Sequence, residues 1–474
     1  MRTSTFSGPA GRLGAKSAGI HHAGILPAIV MTLLSAACRA APIAVDPCLK
    51  DAAETWTRPP ASWSEGATES CFAPLSTATN SSLRYPGYSN SPELSFLGFK
   101  VYEMQLKYEG PEMRGARLSL YNRGDAGELS RNVFTAQVAA VDRALTSWSG
   151  QRGSMLQAAK SDGNILSQSK HWVLTNQTAE LRWSASQHAL LGAASTNPAA
   201  DSIKGFRSEY IQVLILPSFR GQNTSRAADG AASAMAGSAI RIRQNVRKQA
   251  DGSVMIENLP MVDQGQRGYC VVATAERLLR YYGRSLDQDA LAQMADTRTG
   301  GGTDATSMLS ALNRVSLKCG VTVKTLVVFN LKTLLDLLDK YNLQARKEGR
   351  PIIKVAEDNP INVDEIYDRM DVGTLRRARC ERGAAAFKNF TAEIIKSVDL
   401  GIPLAWSVRM GLVKESTQVR QAGGGHMRII LGYNKSSRTL IFSDSWGAGH
   451  ENKPMSFEDA WTITTGLYSL NPRY

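Results

Sequence analysis

Helical patterns come first and strand patterns last in residues 254–474, and this order limits the folds open to that part of the chain. Apolar periodicity predicts a helix from Cys270 to about Tyr282 and an amphipathic helix over the run LKTLLDLLDKYNLQARK. Short apolar strands follow at IPLAWSVR, MRIILGY and TLIFSD. We therefore predict an α+β domain with an N-terminal helical part and a C-terminal antiparallel sheet.

A chain of 474 residues is too long for one hydrophobic core, so a further domain is expected before residue 254. Strand patterns around a helix that begins near Asp125 and ends near Trp148 predict a separate α+β domain of unknown role over residues 92–220. A Pro/Ser-rich arm and linker, residues 41–91, is expected before it. A flexible connector rich in Gly, Ala, Ser and charge, residues 221–253, is expected after it.

The N-terminus has the pattern of a targeting segment. Basic residues precede the run ILPAIVMTLLSAAC, whose apolar part is too short to cross a bilayer, where about 20 residues are needed. Residues 1–40 are therefore predicted to be an export signal, which implies a bacterial periplasmic, envelope or extracellular location. The stretch LLSAAC resembles a lipoprotein cleavage box with its leucine displaced by one position. Lipid anchoring on Cys38 and simple secretion both stay open.

The charge balance says little about partners. The net charge is +13, but basic residues are scattered among acidic ones and no nucleic-acid-binding motif appears. No phosphate-cradling glycine loop is present, and no cofactor or metal is predicted. No nucleic-acid partner is expected, and membrane contact is expected only through the possible anchor on Cys38.

Cysteine parity points to one free thiol. Once the signal cysteine is removed or lipidated, five cysteines remain, which is an odd number in an oxidising compartment. The economical pairing joins Cys48 with Cys71 and Cys319 with Cys380, although sequence alone does not fix connectivity. This pairing leaves Cys270 unpaired.

Cys270 follows a glycine-rich run and begins a predicted helix, where the helix dipole and unpaired backbone N–H groups favour a thiolate. A cysteine in such a place is also often a small buried apolar residue. Thiolate catalysis needs a base, and only two of the six histidines, His426 and His450, lie in residues 254–474. His426 begins an apolar strand after a glycine run, whereas His450 lies in a polar loop and is expected at the surface.

The two late strands bring a carboxylate to His426 if they form a hairpin. With Tyr433 opposite Thr439, His426 faces Trp446, and Asp444 lies diagonal to the imidazole within reach of a hydrogen bond. The pairing depends on the register, because a slip of one residue would turn the aspartate to the other face.

These residues, taken together, resemble the papain-like cysteine peptidases. Gln264 is followed six positions later by Cys270, then by His426 at a strand start and by the sequence DSWG from Asp444. The Cys-x-x-Ala form, with aspartate as the third member, is similar to the peptidase domains of bacteriocin-exporting transporters and their stand-alone relatives. The resemblance covers about the last 220 residues and implies a papain-like cysteine peptidase domain over residues 254–474.

The resemblance implies a role for each of these residues. Cys270, on a nucleophile helix, would attack a carbonyl carbon, His426 would protonate the leaving amine, and Asp444 would orient the imidazole ring. The Gln264 side chain and the Cys270 backbone N–H would bind the oxyanion, and Trp446 would shield the histidine from water.

Two departures from the papain pattern leave the substrate open. Val271 stands where papain-like enzymes usually have an aromatic residue, and Asp444 stands in place of asparagine. The leading prediction is an exported cysteine peptidase that hydrolyses amide bonds, and the expected partner is a peptide or protein substrate. A thiol acyltransferase or cell-wall amidase with the same triad, or a catalytically inert surface binding protein, are the alternatives.

Overall fold

Three β-sheets organise the part of the chain that the structure describes. The computed structural model describes residues 41–64, 71–75, 82–85, 92–156, 161–162, 165–186, 206–218, 239–265, 269–284, 291–292, 313, 320–355, 362–415, 419 and 421–473. The predicted export signal, residues 1–40, and the proposed disulfide partner Cys319 lie outside the described residues. No helix among the described residues is long and apolar enough to cross a membrane.

The N-terminal strands build two of the sheets. They are β1 (Ile43–Ala44), β2 (Ala73–Leu75), β3 (Ser82–Tyr85), β4 (Leu94–Phe96), β5 (Phe99–Val101), β6 (Glu103–Glu109), β7 (Glu112–Asn122), β8 (Ser154–Met155), β9 (Ser161–Asp162), β10 (Ile165–Val173), β11 (Gln177–Ser186) and β12 (Ser208–Pro217). A nine-stranded sheet has the order β2-β3-β6-β7-β12-β11-β10-β8, with β9 added to β10. Strands β1, β4 and β5 form a small separate sheet.

Helices of the N-terminal part are α1 (Ala53–Thr57), α2 (Arg123–Ala126) and α3 (Arg131–Ser149), with 3-10 turns at Asp46–Leu49 and Pro60–Ser64. Helix α3 contacts β10, β11 and β12. It begins later than predicted because the Ser130 hydroxyl accepts the Val133 N–H and caps it, and Gly150 ends it in the left-handed conformation. Asp125, the predicted start, belongs to the short α2 instead.

The described residues of the segment predicted as an arm and linker, residues 41–91, contribute to the N-terminal core. Leu49, Trp63 and Phe72 are buried in the same hydrophobic cluster as the strands of the nine-stranded sheet. The apolar side chains of these described residues are packed in that core, although the segment is rich in Pro and Ser.

The predicted disulfide between Cys48 and Cys71 is wrong, because both thiols are free. Cys71 is buried in the N-terminal hydrophobic cluster and Cys48 packs against it, so each acts as a small apolar side chain. Cys380, the predicted partner of Cys319, is also free. Cysteine parity therefore does not single out Cys270, since all four cysteines among the described residues are unbonded.

The C-terminal strands form an eight-stranded sheet. They are β13 (Val246–Lys248), β14 (Ser253–Ile256), β15 (Val321–Val327), β16 (Leu404–Met410), β17 (Gly424–Asn434), β18 (Thr439–Ser443), β19 (Lys453–Ser456) and β20 (Thr464–Pro472). The order is β13-β14-β17-β16-β20-β15, and β18 pairs with both β17 and β19. Strand β17 is therefore central, and its neighbours on both edges fix its position.

The helices of this part are α4 (Ala239–Gln244), α5 (Cys270–Tyr281), α6 (Leu331–Lys347), α7 (Val363–Asp368), α8 (Val372–Arg377), α9 (Ala384–Asp399) and α10 (Phe457–Ile463), with a π-helical turn at Ala378–Arg382. Helices α5 and α9 pack against β17. Helices α6 to α8 enclose a small core of their own, which includes Leu334, Leu338, Tyr341 and Leu375.

Part of the segment predicted as a flexible connector, residues 221–253, is built into this sheet. Helix α4 buries Ile242 in the C-terminal core, and β13 pairs with β14. The N-terminal and C-terminal sheets have separate hydrophobic cores. Residues 41–474 nevertheless form one compact unit, so the separate N-terminal domain expected from the sequence is not distinguished as an independent body.

Candidate active site

Cys270 is the first residue of helix α5, which packs against β17. Among the described residues, no side chain caps this helix end, so its first backbone N–H groups and the positive end of the dipole are available to a negative charge. The Cys270 side chain is half-buried. This is the setting in which a thiolate is favoured over a thiol.

The interactions around Cys270 lower its pKa. Burial is the largest single cause and by itself raises the pKa of the Cys270 thiol, but the hydrogen bond and the electrostatic interaction with the His426 ring lower it. The backbone N–H groups of Met427 and Val271 contribute in the same direction. The net result is a pKa below the ordinary value for cysteine.

His426 lies near the start of β17, opposite Val408 of β16. Its Nε2 is 2.9 Å from Oδ1 of Asp444, and both side chains are completely buried. Apart from the Cys270 thiol, no described residue offers His426 Nδ1 a hydrogen-bond partner. Burial lowers the pKa of His426, but the interactions with Asp444 and Cys270 raise it above the ordinary value.

Asp444 is held by two cations in addition to the histidine. Arg428 Nε donates to Oδ1 at 2.9 Å, and Lys453 Nζ donates to Oδ2 at 2.9 Å. Arg428 is itself held by both carboxylate oxygens of Glu415, at 2.8 and 2.9 Å. Burial raises the pKa of Asp444, but the hydrogen bond from His426 and the charges of Arg428 and Lys453 hold it well below its usual range. Asp444 is therefore ionised at any ordinary pH.

The hairpin reaches this arrangement by a route that differs from the prediction. At the turn, Tyr433 pairs with Leu440 and not with Thr439, a slip of one residue. A β-bulge before residue 432 removes the slip, so that Ile429 pairs with Ser443 in the predicted register. The one-residue difference at the turn is offset by the bulge, so His426 and Asp444 meet as the predicted register requires.

Trp446 covers the histidine. Its ring stacks on His426 with a centroid separation of 4.6 Å and an interplanar angle of 18°. His450 meets Trp446 edge-on at 5.3 Å and is buried, so the expectation that it lies at the surface is wrong. The reason is local, because the His450 carbonyl accepts the Asp444 N–H at 3.0 Å and folds the loop inward.

Gln264 is buried on a segment that runs beside the end of the hairpin. Its backbone N–H donates to the Ser445 carbonyl at 2.9 Å, and Asp263 forms an isolated antiparallel bridge with Trp446. Residues 266–268, which join this segment to Cys270, lie outside the described residues.

Arg277 is a residue of the site region that the sequence did not single out. This buried side chain of α5 donates to the Pro260 carbonyl at 2.8 Å, the Asp444 carbonyl at 3.0 Å and Ser443 Oγ at 2.7 Å. Burial lowers its pKa to about 10, and Asp444 opposes that shift. Arg277 lies seven residues after Cys270, about two helical turns, which puts a cation on the same face. That spacing was the sequence signal from which a buried cation near the site could have been predicted.

The comparisons with known proteins agree with the resemblance. Residues 357–469 match the model of the peptidase C39-like family. The matched residues contain His426 and Asp444, whereas Cys270 lies before them. No curated protein shows a significant match to the chain. Residues 357–469 are thus similar to the peptidase C39-like family, and this similarity supports assigning the chain to the papain-like cysteine peptidase superfamily.

Proposed function

We propose that the protein is an exported cysteine peptidase that cleaves peptide bonds through Cys270, His426 and Asp444, with Gln264 in the oxyanion hole. The observation that supports it most strongly is the buried contact of 2.9 Å between His426 and Asp444, with Cys270 as the remaining partner of the ring. A nucleophile, a base and a group that orients the base are the minimum for thiolate catalysis.

The proposed reaction begins with the Cys270 thiolate and the His426 imidazolium. The thiolate forms a bond to the carbonyl carbon, and the carbonyl electron pair moves to oxygen, where the Gln264 side chain and the Cys270 backbone N–H stabilise it. The C–N bond then breaks while His426 gives its proton to the leaving amine. Water, deprotonated by His426, hydrolyses the thioester and returns the thiolate.

Asp444 would act through the histidine. Its hydrogen bond to Nε2 leaves Nδ1 directed to the nucleophile, and its charge stabilises the imidazolium. Trp446, stacked on the ring, would keep water away from the contact between Asp444 and His426.

The test is hydrolysis of a broad peptide panel by the full chain and by a Cys270→Ala variant. Cys380→Ala is the matched control, because Cys380 is another free, half-buried thiol. We expect the first variant to be inactive and the second to keep wild-type activity. Hydrolysis that survives Cys270→Ala would refute the assignment of the nucleophile.

Product analysis in the presence of an added primary amine distinguishes hydrolysis from acyl transfer. A peptidase gives the free carboxylic acid as its main product, whereas an acyltransferase gives the amide of the added amine. Peptidoglycan stem peptides in the panel cover the cell-wall amidase alternative. A catalytically inert binding protein would cleave no member of the panel.

Export is the part of the proposal that depends on the sequence pattern of residues 1–40. Cell fractionation of the wild type and of a Cys38→Ser variant tests it. Envelope localisation that is lost in the variant supports a lipid anchor, and release of both proteins supports simple secretion. Retention of both in the cytoplasm would contradict export.

A further inference from the structure

A buried ion pair joins the N-terminal sheet to the segment that carries Gln264. Arg84, on β3, places Nη1 3.1 Å from Oδ1 of Asp263, and the two side chains are 2% and 7% exposed. Arg84 Nε also donates to Glu103 on β6 at 2.9 Å. A buried charge is tolerated when it is paired and hydrogen-bonded, and here the guanidinium bridges two carboxylates.

Asp263 shapes the backbone next to Gln264. The Oδ1 atom that faces Arg84 also accepts the Gly265 N–H at 2.9 Å, and Gly265 has a φ of 70°. On the other side, Asp263 Oδ2 approaches Gly447 so closely that a Cβ there would lie 3.1 Å from it. The Asp263 carboxylate thus holds the residue that follows Gln264 and lies close to Gly447.

A second contact from the same sheet holds Tyr269. The hydroxyl of Tyr269, directly before Cys270, donates to Oδ1 of Asn122 at the end of β7 at 3.3 Å. Gly124 leaves room for that ring, since a Cβ at this position would lie 2.2 Å from the Tyr269 Oη. The N-terminal sheet therefore contacts both Asp263 and Tyr269.

We propose that Arg84 is a positioning residue that, through Asp263, holds Gln264 in place to stabilise the oxyanion. The inference rests on the proposed function. It makes the N-terminal sheet a working part of the active site and argues against its being a pro-segment that is cut off to release activity. The Arg84 contacts described above are with the carboxylates of Asp263 and Glu103, so its effect is expected on the oxyanion step and not on formation of the thiolate.

The experiment compares Arg84→Gln with Arg117→Gln in the full chain. Arg117 is the matched control because it lies on the same sheet and contacts the same Glu103 carboxylate, at 3.5 Å. Active sites are counted by alkylation of Cys270, so that kcat refers to folded molecules. We expect Arg84→Gln to lower kcat by about 10- to 100-fold, less than the loss of a whole oxyanion donor, with KM changed by less than about twofold. The pH dependence of Cys270 alkylation stays as in the wild type, and Arg117→Gln keeps its kcat.

A double-mutant cycle with Gln264→Ala tests the route of the effect. The penalty of Gln264→Ala is expected to be several-fold smaller in the Arg84→Gln background, because the donor is already misplaced there. Equal penalties in the two backgrounds would overturn the proposal, as would equal losses of kcat in Arg84→Gln and Arg117→Gln.

If Arg84→Gln does not fold, Asp263→Asn replaces it, since the amide oxygen still accepts the Gly265 N–H while the charge is lost. Failure of both variants to fold would assign the pair to stability and contradict a positioning role. An inactive wild type would refute the proposed function. An active wild type with an unimpaired Arg84→Gln variant would refute only the positioning role of Arg84.

Discussion

His426 Nε2 lies 2.9 Å from Asp444 Oδ1 in a fully buried contact, and Arg428 Nε donates to the same oxygen at the same distance. The carboxylate therefore serves as the common partner of a titratable ring and of a fixed cation. Arg428 and Lys453 partly balance the negative charge of Asp444. The hydrogen bond and the electrostatic interaction between Asp444 and His426 raise the pKa of the histidine.

Asp444→Asn is predicted to lower kcat by between about 10- and 10⁴-fold, because a neutral amide stabilises the imidazolium less and admits the wrong tautomer. The variant also removes a cause that raises the pKa of His426. The alkaline limb of the pH–rate profile should therefore move to lower pH by about one unit or more. Steady-state kinetics across pH measure both effects, and an unmoved alkaline limb would contradict the account.

The wild-type profile itself is predicted to be bell-shaped. The acidic limb follows formation of the Cys270 thiolate and lies below the ordinary cysteine pKa of about 8.5, since the pKa is lowered. The alkaline limb follows loss of the His426 proton and lies above about 6.5, since that pKa is raised. The two limbs belong to the coupled pair and not to either residue alone. A rate that rises monotonically through pH 9 would be inconsistent with the ion pair.

Arg428→Gln is predicted to destabilise the fold by about 3–5 kcal/mol, because it leaves the Glu415 carboxylate without its guanidinium. In the double variant Arg428→Gln/Glu415→Gln, the loss should be smaller than the sum of the two single losses. Urea denaturation of the three variants measures the coupling. Strict additivity would show that the two side chains do not act as a pair.

Arg277→Lys is predicted to lower the melting temperature and kcat together, since one ammonium cannot reach Pro260, Ser443 and the Asp444 carbonyl at once. Arg280→Lys is the matched control on the same helix, where the arginine is a third exposed and pairs with Glu276. The control should stay within about 0.5 kcal/mol of wild type. Thermal denaturation and steady-state kinetics supply the two readouts. Equal effects of the two substitutions would argue against a special role for the Arg277 hydrogen bonds.

The helix of Cys270 and the late strands could be predicted from sequence because their patterns are local. The 3.6-residue period predicts α5, and the short apolar runs predict β17 and β18. The register at the turn could not be predicted. The bulge before residue 432 lies where β17 pairs with β14, β16 and β18, and these pairings join parts of the chain that are far apart in sequence.

The charges around Asp444 were the part of the site that sequence reasoning missed. Arg428 lies two residues after His426 and therefore on the same face of the strand. Nothing in the sequence indicates that Lys453 contacts Asp444 or that Glu415 contacts Arg428, because those contacts come from other parts of the fold. The same holds for Arg84, which lies 179 positions before Asp263 and meets it only through the packing of the two sheets.

The most direct test of the central claim is the rate of Cys270 alkylation by iodoacetamide as a function of pH, followed by mass spectrometry. Cys380 is an internal control, because burial and then Glu458 raise its pKa to about 11. We predict that Cys270 reacts at pH 6 at least about tenfold faster than Cys380, with an apparent pKa well below 8.5, and that His426→Ala abolishes the advantage. Equal rates for the two thiols, or a Cys270 profile centred at or above pH 8.5, would contradict an activated nucleophile.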